Sequence, residues 1–169
     1  MKRQHGARGQ ALVEFALILP IFVFLMVSIF DLGHVVWANN ALSNATREAS
    51  RFAIVHGGSE STPCPVGPAP ASLALPPASD SCPFPSPSKQ AIKDEVANWL
   101  IGMSQSATVS VCYGNVTTCV GDTDEPGATN ARGTQVTVTV TATIGLAAPE
   151  LFGLGPFSLS ASSTMLVNH

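Results

Sequence analysis

From Ala11 to Phe30 nearly every position is apolar, and the one ionisable residue in that run is Glu14. A helix of twenty residues rises about 30 Å, the thickness of a bilayer's hydrocarbon core, so the run predicts a membrane-spanning helix over 11–30. Beyond it the pattern changes period without a break. Val35, Ala38, Leu42, Ala45, Ala49 and Phe52 recur at steps of three and four, with Asn39, Asn40, Asn44, Arg47, Glu48 and Arg51 mostly on the other faces. That spacing extends the helix as an amphipathic segment whose apolar stripe packs on a domain. Pro20 removes one backbone bond and predicts a kink, and Gly57-Gly58 supplies the stop. One helix is therefore expected over 10–56.

The next stretch cannot be helix or interior strand. Between Ser59 and Pro87 prolines recur at 63, 65, 68, 70, 76, 77, 83, 85 and 87, each lacking the amide hydrogen a ladder needs. A long surface loop over 57–87 is expected, with a proline-rich ligand for a partner's groove as the competing reading. Ile92, Val96, Trp99, Leu100 and Met103 then mark one side of a short helix begun near Ser88. Three alternating segments follow. Val109, Val111 and Tyr113 alternate with Thr108, Ser110 and Cys112; Val136 to Ile144 alternate with threonines; Phe157 to Val167 alternate with serines and Thr164. Each reads as a strand with one wet face. Without a βαβ rhythm the sheet should be antiparallel, its apolar face covered by helices. The expected class is α+β: a long N-terminal helix, its first half transmembrane, packed on a small antiparallel sheet with one further short helix. A basic leader occupies 1–9 and the α+β domain 88–169.

Charge sets the orientation. Lys2, Arg3 and Arg8 precede the span with no acid among them, whereas every acid except Glu14 lies at or beyond Asp31. A basic flank retains its end in the cytoplasm, so the remainder is expected outside. An acidic folded part repels phosphate, which argues against nucleic acid as a partner. The rival for the first thirty residues is a secretory signal peptide, but its apolar region is normally about 7–15 residues and ends at a small-residue cleavage site. Here the run is longer and the helical pattern continues through it.

Candidate chemistry is sparse. The four cysteines fall in the part expected outside, where disulfides persist. Cys64 and Cys82 bracket the proline-rich loop, Cys112 and Cys119 bracket a hairpin-like turn, and nested local pairing is the simplest of three connectivities. A zinc site is the alternative, but no Cys-x-x-Cys pair occurs and the four histidines are scattered. None of the common hydrolase, metalloprotease or phosphate-loop motifs occurs, so no catalytic residue, metal, cofactor or small-molecule substrate is expected. Asp31 and His34, one turn apart, read either as a proton-transfer pair or as polar residues where the span meets water. Glu14 is either an interfacial carboxylate reaching back to water or a buried charge awaiting a partner.

Gly9 followed five residues later by Glu14 and an apolar span resembles the processing site of type IV pilin-like proteins. The longer run Arg8-Gly9-Gln10-Ala11-Leu12-Val13-Glu14-Phe15-Ala16-Leu17, then Leu19-Pro20, Asp31, Gly33 and Asn44-Ala45-Thr46-Arg47-Glu48-Ala49-Ser50-Arg51, resembles the TadE-like family. These are minor pilin-like components of the tight-adherence pilus machinery. The resemblance covers about the first 55 residues and implies that the α+β plan is pilin-like. It implies cleavage by a prepilin peptidase between Gly9 and Gln10, with Glu14 and Phe15 completing the recognition segment. It further implies that Glu14 pairs with the new amine of a neighbouring subunit. Implied partners are the membrane, the prepilin peptidase, other pilin-like subunits and inner-membrane platform proteins. The location implied is the bacterial inner membrane, crossed once with the N-terminus cytoplasmic. The alternative is a plain membrane-anchored extracytoplasmic binding domain that enters no pilus.

Overall fold

The computed structural model describes residues 6–56, 66–68, 89–100 and 107–168, with side chains in the first helix described from Gly9 onward. The leader's Lys2 and Arg3, Gly57-Gly58, most of the proline-rich segment, Cys64, Cys82, Ser88 and Met103 lie outside the described residues. The elements in order are α1 (Gly6–Val55), α2 (Gln90–Trp99), β1 (Ala107–Tyr113), β2 (Gln135–Ile144), α3 (Ala147–Glu150) and β3 (Phe157–Leu166). The class is α+β, as the alternating strands and long helix predict. Helix α1 continues through Pro20.

The chain divides into two compact units, Met1–Trp37 with Ile144–Phe157 and Ala38–Thr143 with Ser158–His169. In the second unit a three-stranded sheet has the order β1-β2-β3. Strands β1 and β2 run antiparallel, with Val109 opposite Val140, Val111 opposite Val138 and Tyr113 opposite Val136. This register puts every apolar member of both strands on one face, because side chains alternate with period two. Onto that face pack the C-terminal part of α1 and helix α2. Leu42, Ala45, Ala49 and Ala53 from α1, and Ile92, Val96 and Leu100 from the α2 region, join Val111, Tyr113, Val136, Val138 and Val140 in one core.

The stripe read from the sequence is thus the buried one, with two physical amendments. Thr46 and Ser50 are also buried. Thr46 Oγ1 donates to the Leu42 carbonyl at 3.1 Å, and Ser50 Oγ donates to Thr46 O at 2.8 Å. A hydroxyl that returns its proton to the preceding turn carries no unsatisfied donor into the core. Trp99, expected on the buried side of α2, is 51% exposed. Its indole Nε1 donates to Glu95 Oε1 at 3.0 Å, so the ring's polar edge is satisfied at the surface by a partner one turn back.

Val66, in the short described piece of the proline-rich segment, is fully buried in the same core. Its N–H donates to His56 O at 2.8 Å, and its carbonyl accepts from Asn130 Nδ2 at 3.0 Å. The opposite sheet face is hydroxylated. Thr137 pairs with Thr164 at 3.0 Å, Thr139 with Ser162 at 3.1 Å and Thr141 with Ser160 at 3.3 Å. Such cross-strand pairs hold the β2–β3 register on the wet side.

Strand β1 is a sheet edge, and edges must be blocked to prevent pairing with another chain. Asp122 Oδ1 accepts the Val111 N–H at 2.8 Å and Asp124 Oδ1 accepts the Tyr113 N–H at 2.7 Å. Glu125 Oε2 accepts the Asn115 N–H at 2.7 Å, while the Glu125 N–H donates to Tyr113 O at 2.9 Å. Three carboxylates thereby stand in for a neighbouring strand. Gly114, between them, has φ +97° and leaves room that a Cβ would take from Glu125. Lys89 Nζ bridges Asp124 Oδ1 and the Asp122 carbonyl, each at 2.8 Å, and Lys93 pairs with Asp122, so α2 is clasped to the edge. Partial burial pushes the Asp122 carboxyl up. Its bonds from Lys93 and Val111 and the charges of Lys93 and Lys89 outweigh that and hold it below the usual carboxylate range.

Cys112 and Cys119 form a disulfide with Cα atoms 5.6 Å apart, the pairing expected from their spacing. It anchors the loop that begins at β1's end and leads to the Asp122–Glu125 clamp. The bridge closes a short loop, so its removal is expected to cost on the order of 2 kcal/mol. A Cys112→Ser/Cys119→Ser chain should therefore unfold at a lower temperature with the sheet still formed. A non-reducing peptide map should link Cys112 to Cys119, and a link from either one to Cys64 or Cys82 would overturn the pairing.

Candidate functional site: the exposed apolar helix and its clasp

In the first unit α1 presents apolar side chains outward. Leu12, Phe15, Leu17, Ile21, Phe22, Leu25 and Ile29 are all exposed, and Phe30 is 72% exposed. None of the most apolar eighteen-residue window is buried by the chain itself. Exposed apolar surface on that scale marks a site of contact with lipid or with other apolar helices. The helix therefore has the length and character of a single membrane span.

The predicted recognition residues all lie on this exposed part. Gly9, Gln10, Glu14 and Phe15 are exposed, and a Cβ added at Gly9 would meet no atom within 4 Å. One helical turn brings Gln10 and Glu14 together: Gln10 Nε2 donates to Glu14 Oε1 at 3.2 Å. The carboxylate thus has a neutral partner on its own helix.

Asp31 has a role that neither sequence reading anticipated. Its Oδ2 accepts the Ala148 N–H at 2.7 Å and its Oδ1 accepts the Ala147 N–H at 3.2 Å. These are the first-turn amides of α3, whose own N-cap position is Leu146 and offers no side-chain acceptor. The third residue of α3 is Pro149, which has no N–H. A single carboxylate from more than a hundred residues upstream therefore satisfies every orphan donor of that turn, and its negative charge suits a helix start. His34 has turned elsewhere, its ring 5.9 Å from that of Trp37. The Phe152 ring meets Phe24 edge-on at 5.4 Å. Between Asp31 and Phe24 the two segments enclose a shallow apolar cleft of about 350 Å³, bordered by Ser28, Val35, Pro149 and Leu154.

No signal local to either segment could have revealed this clasp. A lone Asp at the end of an apolar run has several explanations, and Leu146-Ala147-Ala148-Pro149 carries no capping residue of its own. In the sheet unit Lys89, Lys93, Asp122, Asp124 and Glu125 form the clamp along the β1 edge. Among the described residues no three His, Cys, Asp or Glu side chains converge on one point. The sheet's hydroxyls hydrogen-bond to one another and, at Ser110, to the Gly121 amide.

Fold and site together define an α+β protein carrying an exposed apolar N-terminal helix of membrane-spanning length. A family model described as TadE-like protein matches residues 9–51. The match begins at Gly9, takes in Glu14 and Asp31, and ends within α1, so it covers the helix and none of the sheet. It is a likeness to proteins associated with the tight-adherence pilus, on the same stretch that carries the resemblance in the sequence. No curated protein and no solved structure matches the chain.

Proposed function

We propose that this chain is a single-pass inner-membrane protein that acts as a minor, pilin-like subunit in assembly of a tight-adherence pilus or a related secretion apparatus. The observation that carries the reading is the exposed Gly9–Glu14 segment at the head of an apolar helix that the chain itself leaves uncovered. A prepilin peptidase cuts after Gly9, and the Gln10 amine it frees is a cation in a low-dielectric setting. The Glu14 carboxylate of a neighbouring subunit neutralises it, replacing the weak intrahelical bond from Gln10. Two such charges offset their desolvation only when they meet closely, so the pair reports register between subunits more than it adds stability. The domain beyond Asp31 lies outside the cytoplasm and serves contact with other subunits and platform proteins, with no catalytic task.

Intact-mass measurement of the protein from its native membrane tests this directly. The expected mass is that of a chain beginning at Gln10, and a Gly9→Val chain should retain its leader. Because a side chain at Gly9 meets nothing in the fold, lost processing in that variant reports recognition by the peptidase. A native chain beginning at Met1 in cells with active peptidase would overturn processing. A reporter joined after His169 should be active only when exported; activity in the cytoplasm would overturn the topology.

A further inference from the structure

We propose that the β2–β3 connection, Leu146 to Phe157, is a second membrane-contacting element, immersed in the extracytoplasmic leaflet beside α1. The inference rests on the reading of α1 as a membrane span, and deepens it by naming a lipid surface as the partner of this loop.

Depth is the first argument. Phe152 touches Phe24 ring to ring, and Phe24 lies six residues inside the end of the apolar run at Phe30. At 1.5 Å per residue that is about 9 Å along the helix. If Phe24 is in hydrocarbon, a ring in contact with it is at the same depth.

Chemistry is the second. Leu151, Phe152, Leu154 and Phe157 are 73%, 69%, 55% and 44% exposed, and the segment from Leu151 to Phe157 contains no charged residue. Four large apolar side chains facing outward from seven residues suit an acyl environment far better than water.

The backbone is the third and most specific. Irregular chain enters hydrocarbon only when its polar groups are satisfied internally. The amides of Ala147 and Ala148 donate to Asp31, and Pro149 has none to satisfy. Those of Glu150, Leu151, Phe152, Gly153 and Leu154 donate to Leu146, Ala147, Pro149, Glu150 and Pro149 carbonyls respectively. Every N–H from 147 to 154 therefore has an acceptor within the chain, which meets the donor half of that requirement over the first eight residues after Leu146. Asp31, one residue past the apolar run, lowers the cost of its own position near the interface by accepting two of them. The loop's one charged side chain, Glu150, is exposed and precedes the uncharged stretch that begins at Leu151.

Depth-dependent fluorescence quenching tests the proposal on the full chain. The background chain carries Trp37→Phe and Trp99→Phe, both positions being half exposed, and is reconstituted in phosphatidylcholine vesicles with brominated acyl chains. Single tryptophans are then placed by Phe152→Trp, by Ile18→Trp within the span, and by Val120→Trp on the sheet unit's exposed surface. The expected result is that the reporters at 18 and 152 both lose most of their emission to bromine and resist acrylamide, while the one at 120 does the reverse. Adding Asp31→Ala should restore emission at 152 and leave 18 unchanged. Quenching at 18 without quenching at 152 would overturn the loop's immersion and leave the span standing. Shielding of 152 from bromine and acrylamide alike would replace lipid with a protein partner. Absence of quenching at 18 would remove the span itself, and the inference with it.

Discussion

Replacing Glu14 with leucine is expected to abolish surface piliation while leaving the membrane level of the protein and the fold of its sheet domain unchanged. The side chain is exposed and the hydrogen bond it accepts comes from Gln10 on the same helix, so the fold does not draw on it. Insertion should improve, since a carboxylate inside a span costs up to about 3 kcal/mol on insertion scales and leucine costs nothing. The loss falls on assembly. A neighbour's N-terminal amine, deprived of its carboxylate, is an unpaired charge in low dielectric, and removing one partner of such a pair costs roughly 3–5 kcal/mol. That corresponds to a hundredfold or greater weakening at each subunit contact. Glu14→Gln should behave similarly, because it preserves shape and polarity but not charge. The measurements are membrane level, protease resistance of the sheet domain and surface piliation. An interfacial carboxylate that merely reaches water predicts normal piliation; that outcome, with normal protein level, would defeat the assembly role.

The largest effect on stability is expected from Leu42→Ala. Leu42 is fully buried in the core, and the positions that follow it along the stripe, Ala45, Ala49 and Ala53, are all alanine. Small residues let α1 lie close against the sheet, which leaves Leu42 as the one large α1 side chain fully enclosed there. Truncating it removes the transfer energy of the lost methyl groups and leaves a cavity that a helix already in close contact cannot collapse. About 2–5 kcal/mol is expected, or a fall in melting temperature on the order of 10 °C or more for a domain of this size. Thermal unfolding of the full chain in detergent, followed by near-ultraviolet circular dichroism, reads the change. Asn44→Ala, on the exposed face of the same turn, should shift the transition little. Equal shifts for the two variants would contradict the packing described.

What could be read from the chain alone were the features carried by period and run length. A twenty-residue run that is apolar at nearly every position needs no tertiary information to have the length and character of a span. Steps of three and four from Ala38 to Ala49 place one face inward on any helix, and alternation in the three strands sorts valines from threonines whatever the sheet's neighbours. The pairing of Cys112 with Cys119 was legible for the same reason, since a short sequence separation limits what the sulfurs can reach. Contacts between distant segments had no such signal. That Asp31 caps α3, that Asp122 and Asp124 stand in for a strand beside β1, and that Val66 inserts into the core all depend on where remote backbone amides and cavities come to lie. The exposure of Trp99 is of the same kind, because helical period gives a residue's direction but not whether anything waits there to cover it. Local periodicity is a property of the chain, whereas the partner of a lone carboxylate is chosen by whichever unsatisfied donors the folded structure brings within reach.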